Sequence, residues 1–189
     1  MNQQLIECVP NFSEGRDLGI IKQITNEIES VEGVKLLDVD PGAATNRTVV
    51  TFVGTPQAVV DAAFKAIVKA GELIDMSKHS GEHARMGATD VCPFIPVANI
   101  TMEETAKWAT TLAQKGGEST TIPVYLYGES QPNKNRNVLS IIRAGEYEGF
   151  FEKIKKPEWK PDFGPQEYNA RSGATTIGAR DFLIAYNIN

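Results

Sequence analysis

A chain of 189 residues, 41% hydrophobic and with a formal net charge of −5, is long enough for one domain that withdraws roughly 70% of its unfolded surface from water. The acidic balance argues against nucleic acid as the main partner, because phosphate binding needs a basic surface. No apolar run approaches the ~20 residues that span a bilayer, "MNQQLIECVPNF" lacks a signal-like basic lead and apolar core, and Cys8 and Cys92 make neither a disulfide framework nor a C-x-x-C pair, so the expectation is a cytoplasmic protein with reduced, buried thiols and no membrane.

The opening "LIECVPNF" reads as a strand ended by Pro10, and "SEGRD" supplies turn and capping residues. A helix follows from about Asp17 to Ser30, with Leu18, Ile21, Ile24 and Ile28 along one face. "GVKLLDVDPG" and "NRTVVTFVGTP" are strands joined by a short connection and should pair as an antiparallel hairpin. "PQAVVDAAFKAIVKAGELIDM" opens with Pro at a favoured first-turn position and runs as an amphipathic helix to about Asp75.

"VCPFIPVAN" is a strand whose two prolines suit an edge or a bulge. "TMEETAKWATTLAQKGG" begins with Thr101 and Glu104 in capping-box register, and "TIPVYLYG" is a further strand. Asn137 to Lys156 reads as two short helices broken at "AGEYEG", and "DFLIAYNIN" as a strand at the C-terminus. This order predicts an α+β fold of the split β-α-β, ferredoxin-like kind: one domain over 1–189, a mixed sheet, helices packed on one face.

The chemistry concentrates in "HSGEHARMGATDVCPFIPV", which holds both histidines of the chain. Gly81 and Gly87 make it a shaped loop rather than a continued helix. His83, flanked by Glu82 and Arg85, could hold or release a proton near neutral pH and so suits acid and base catalysis, worth ~10²- to 10⁴-fold in rate. The plainer alternative is a surface or structural histidine. His79 and His83 with Glu82, Asp90 or Cys92 also offer a zinc-like donor set, as in a metal-dependent hydrolase, but the glycines break the helical spacing such a pair would exploit and no metal is expected. Arg16, Arg47, Arg85 and Arg171 are candidates for the local basic cluster that an anionic ligand of an acidic protein requires. Phe12, Tyr125 and Tyr127 could stack on a flat ring or belong to the core.

The blocks "ECVPNFSEGR", "LLDVDPGAATNRTVVTFVG", "LIDMSKHSGEHARMGATDVCPFIPV", "VYLYGE", "RAGEYEG", "PDFGP" and "GATTIGARDFLIAYNIN" together resemble the N-terminal subdomain of the glutamate formiminotransferase family. The resemblance implies a transfer of the formimino group from N-formimino-L-glutamate to tetrahydrofolate, in histidine breakdown and one-carbon metabolism. It also implies a homodimer and two α/β subdomains lining a folate groove, of which this sequence matches only the first. His83 matches the family's catalytic acid and base, although Ala84 stands where the family usually has proline, which would stiffen the loop. Asp40, in "LLDVDPG", would orient His83 or face the cationic formimino group, unless it only starts the turn. The segment Arg171, Ser172, Gly173, Ala174, Thr175, Thr176, Ile177, Gly178, Ala179 and Arg180 resembles the family's folate-contacting stretch; by itself it reads as a glycine-rich loop before a strand. Tetrahydrofolate is thus implied as co-substrate. The rival reading is a non-catalytic folate-binding or dimerisation module, or a half-enzyme that needs its second subdomain.

Overall fold

In the computed structural model, which describes residues 3–184, β1 (Leu5–Cys8) and β2 (Asn11–Phe12) are one strand interrupted at Pro10. Both pair antiparallel with β4 (Arg47–Gly54) on one side and β5 (Thr89–Ala98) on the other. The expected hairpin partner, β3 (Val34–Gly42), runs antiparallel along the free side of β4. With helices α1 (Leu18–Glu29) and α2 (Pro56–Leu73) as crossovers, this is the split β-α-β arrangement. An extension follows. Helix α3 (Met102–Ser119) leads to β6 (Val124–Gly128), and β7 (Thr175–Ala179) inserts between β5 and β6, parallel to both, completing a seven-stranded mixed sheet.

The caps explain the helix limits. Asp17 accepts from the amides of Gly19 and Ile20, Pro56 occupies the first turn of α2 where its missing N–H costs nothing, and Thr101 with Glu104 closes a complete capping box on α3. Ile21, Ile24 and Ile28 turn inward, but Leu18 stays 64% exposed, one turn too early to reach the sheet. Phe52, Phe94 and Leu112 are fully enclosed on the α1–α3 face, each contributing about 1.5–3 kcal/mol by leaving water.

Three corrections follow. The helices are not all on one face: α4 (Leu139–Arg143) and α5 (Glu146–Lys153) cover the reverse side, where Ile142 and Phe150 enclose Tyr125 and Tyr127 of β6. Strand β5 is central, not an edge, although its pairing with β1 and β2 carries the bulges that the other half of the expectation allowed. Pro93 carries its carbonyl toward Val9, and a strand residue's N and C=O point the same way, so its missing donor falls at the break between β1 and β2. Pro96 lies beyond the last residue of β5 that β7 pairs, Phe94, beside a register shift in β1. Finally, the last strand comes before the apolar run expected to form it: Asp181–Ile184 have no regular structure, and Phe182, Leu183 and Ile184 are exposed. The remainder of that run, 185–189, lies outside the described residues.

Candidate active site

The histidine segment is held as a loop by the β3–β4 turn. After α2 and a short 3-10 turn, Met76–Lys78, the chain lies against residues 44–47. Asn46, in a left-handed conformation at φ 47°, accepts from the Gly15 amide and donates to the Ser80 carbonyl at 3.0 Å. Its own carbonyl meets His79 Nε2 at 2.9 Å. Gly81 allows the contact, since a Cβ there would stand 2.2 Å from the Thr45 oxygen. From the other side Arg85, nearly buried, donates to His79 Nδ1 at 3.2 Å and grips Glu146 and both carboxylate oxygens of Glu148 on α5. Those two glutamates hold its pKa above the ordinary arginine value. His79, with both ring nitrogens committed, is a shaping residue. An open cleft of about 520 Å³ borders this loop, lined by His79, Ser80, Gly81, Arg85, Glu146 and Glu148 among others.

His83 is half-buried rather than sealed in the core. Its Nδ1 lies 2.6 Å from the Ala84 carbonyl, which only a protonated Nδ1 can satisfy, and its Nε2 lies 2.9 Å from Arg47 Nη1. A guanidinium donates and never accepts, so Nε2 carries the lone pair and the ring is neutral. Burial lowers the His83 pKa below 6.5; the Ala84 contact opposes this, while the charges of Arg47 and Arg143 add to it. The charge of Asp90 also reaches the ring and acts to raise its pKa; the Asp90 carboxylate accepts from Arg143 at 2.5 Å and from the Met86 amide at 2.9 Å. Asn11 pairs with Val91 and Phe12 with Thr89, so Asp90 is the extra residue of a β-bulge that turns its side chain to this cluster. Burial pushes its pKa up, with Arg143 pulling the other way.

Sequence reasoning found His83 and counted Arg47 among four arginines, but it missed the Asp90–Arg143 pair as a partner of the imidazole. Asp40 is exposed on β3, paired with Val49. Among the described residues it makes no hydrogen bond to His83, whose orientation comes from Ala84 instead; its charge acts on Arg47. Glu82 faces solvent. The segment 171–180 begins as a turn and then becomes a strand: Ser172 to Ala179 are buried, and Thr175–Ala179 are β7 itself. The spaces beside Gly173 and Gly178 are taken by the carbonyls of Met86 and Tyr127, each 2.1 Å from where a Cβ would be, and only Arg171 and Arg180 of the segment are exposed or half-buried. One end, Arg171 to Ala174, is stitched to Met76, Met86 and Ala88 beside the histidine loop; the other is Arg180. Phe12, Tyr125 and Tyr127 are core residues. Among the described residues no three His, Cys, Asp or Glu side chains are placed to hold a metal, and Cys92 instead meets Cys8 at 3.5 Å between sulfurs.

Comparison with known proteins agrees with this frame. The profile of the formiminotransferase domain, N-terminal subdomain, matches residues 5–180. The chain is 57% identical over 186 residues to a formimidoyltransferase-cyclodeaminase of Gallus gallus, covering 98% of this chain and 34% of that protein. It is 50% identical over 187 residues to a glutamate formimidoyltransferase of Thermoplasma acidophilum, covering 98% of this chain and 61% of the relative. A glutamate formimidoyltransferase of Streptococcus pyogenes serotype M1 is 41% identical over 186 residues, with 62% of it covered. The chain therefore spans about a third of the bifunctional relatives and about three fifths of the monofunctional ones.

Proposed function

The chain belongs to the formiminotransferase domain family as its N-terminal subdomain, and from that premise we propose that it carries the acid and base group of a formimino transfer from N-formimino-L-glutamate to tetrahydrofolate. The products are 5-formiminotetrahydrofolate and L-glutamate. The supporting observation is His83: a neutral imidazole, half-exposed, with Nδ1–H fixed on a backbone carbonyl and the Nε2 lone pair aimed at a polar cluster.

The reaction needs such a group. Attack of the N5 amine of tetrahydrofolate on the formimino carbon gives a tetrahedral centre with protonated N5. His83 Nε2 takes that proton, then gives it to the glutamate nitrogen, whose bond to carbon breaks as the C=N bond re-forms. The anchored Nδ1–H keeps one tautomer throughout, and the lowered pKa keeps the ring in its base form at neutral pH. The charge of the Asp90 carboxylate favours the transient imidazolium. Asp40, exposed on β3, is assigned to the cationic formimino group. The folate is assigned to the ends of the 171–180 segment, Arg171 and Arg180, since its middle is closed.

His83→Ala in a chain extended through the second subdomain is expected to lower transfer by ~10²- to 10⁴-fold with the fold intact. Near-normal transfer would remove the assignment. The share of the relatives' length that the chain spans favours a second reading, in which this subdomain binds folate but needs the other for turnover. Folate binding without transfer by the 189-residue chain, and transfer by the extended one, would select it. Homodimerisation, a cytoplasmic setting and a place in histidine breakdown are proposals on the same footing; among the described residues no helix is long and apolar enough to cross a membrane.

A further inference from the structure

Six of the chain's seven arginines donate to at least one oxygen of the protein: Arg16 to the Ala43 carbonyl, Arg85 to Glu146 and Glu148, Arg136 to Asp162, Arg143 to Asp90, Arg171 to the Glu72 carbonyl and Arg180 to the Asp181 carbonyl. Arg47 is the exception. Among the described residues its guanidinium has a single hydrogen-bond partner, the Nε2 of His83 at 2.9 Å, and no carboxylate within ion-pair distance. Burial pulls its pKa down, as does Arg143, and only the more distant charges of Asp90 and Asp40 oppose this. A half-buried cation without a counter-ion has a strong preference for an anion, and the planar fork of arginine fits a carboxylate with two parallel bonds.

We propose that Arg47 is a carboxylate-operated latch: in the free protein its guanidinium covers the Nε2 of His83, and a substrate carboxylate that pairs with Arg47 releases that nitrogen for proton transfer. The latch rests on the formimino-transfer reading and deepens it, because it makes the carboxylate of the substrate a condition for the base to act. A neutral amidine of the same reactivity would reach the site with Nε2 still covered. The groups around the pair are Asp40 on β3, Asp90 on β5 and Arg143 on α4. Asp90 is already satisfied by Arg143 and the Met86 amide, so it does not compete for Arg47. The carboxylate can come from the amino-acid donor or from the glutamate tail of the folate.

Long-range proton–nitrogen NMR of the two histidine rings in the 189-residue chain tests this without turnover. L-glutamate stands for the donor and p-aminobenzoyl-L-glutamate for the folate tail. At least one acid is expected to move the Nε2 resonance of His83 in the wild-type chain, and the one that does identifies the source. In Arg47→Gln that resonance starts at a new position, and the responding acid binds about tenfold or more weakly, while the His79 signals report that the loop is intact. Arg47→Lys keeps the charge without the fork and is expected to recover part of the affinity; it gives the same answer should the glutamine variant fail to fold. If neither acid moves Nε2, or if the response is equal in wild type and variant, the latch is refuted. That outcome is separate from the transfer reading, which stands or falls on His83→Ala in the extended chain.

Discussion

Replacing Gly81 with alanine tests whether the β3–β4 turn sets the position of the imidazole. The added methyl carbon would lie 2.2 Å from the Thr45 oxygen, 2.8 Å from its carbonyl carbon and 3.0 Å from Asn46 Cβ. None of these is the end of a flexible side chain, so the loop must retreat by about 1 Å to reach ordinary contact. Three hydrogen bonds cross that seam: Asn46 Nδ2 to the Ser80 carbonyl at 3.0 Å, His79 Nε2 to the Asn46 carbonyl at 2.9 Å, and the Glu82 amide to the Ala44 carbonyl at 3.4 Å. Losing two of them at about 1 kcal/mol each, with some residual strain, gives about 2–3 kcal/mol. For a domain of this size that is a melting temperature roughly 4–12 °C lower, read by far-ultraviolet circular dichroism. The same shift separates Arg47 from His83, and a misplacement near 1 Å costs about 10²-fold in transfer by the extended chain. The paired control is Gly149→Ala on α5, where nothing lies within 4 Å of the new methyl carbon; it should stabilise by about 0.5–1 kcal/mol. A Gly81→Ala chain that melts with the wild type and keeps its His83 ring signals would refute the argument.

Arg143→Met should be among the most destabilising single changes, because it strands the Asp90 carboxylate in the interior, a loss of about 3–5 kcal/mol. Urea midpoints should show the defect reduced in the Asp90→Asn, Arg143→Met double variant, and a double variant worse than the single one would contradict this. Because the folded-state pKa of His83 is below 6.5, the unfolded chain binds the extra proton first. Its contribution to stability is therefore complete above pH 6.5 and is lost as pH falls through the window beneath it. Comparing wild type with His83→Gln at both ends of that window should show a smaller pH effect in the variant; equal slopes would mean that His83 titrates normally. Arg85→Met should detach α5 from the histidine loop, seen as faster amide exchange in α5 with modest global destabilisation, since Glu146 and Glu148 are themselves largely solvated; unchanged exchange would show that other contacts hold α5.

The parts of the fold governed by local chemistry could be read from the sequence. Helices α1 and α3 begin where Asp17 and the Thr101–Glu104 box place them, and the β3–β4 hairpin and the break between α4 and α5 follow from turn residues. What escaped was set by distant partners. "TTIGA" lacks alternation because β7 is covered on both faces and flanked by two strands, and its two threonines and glycine keep it from reading as an apolar run. "DFLI" has the apolar run but no strand to pair with among the described residues. In the site, His83 stood out by chemistry, whereas Asp90 depends on a bulge that only the register reveals, and Arg143 reaches it from 53 residues away. A buried acid at the head of a strand and an arginine beside "AGEYEG" were the available signals, and neither pointed to the other.

The threading of β7 between two earlier strands bears on how the protein is made. As the polypeptide leaves the ribosome, the hairpin and its two crossovers are complete once Ala98 has emerged. Among the described residues strand β6 has no full strand to zip onto until Thr175–Ala179 follows, some fifty residues later. In that interval the flank of β5 is bare, so a nascent chain stalled between the two is the species most exposed to misassembly and to chaperone capture.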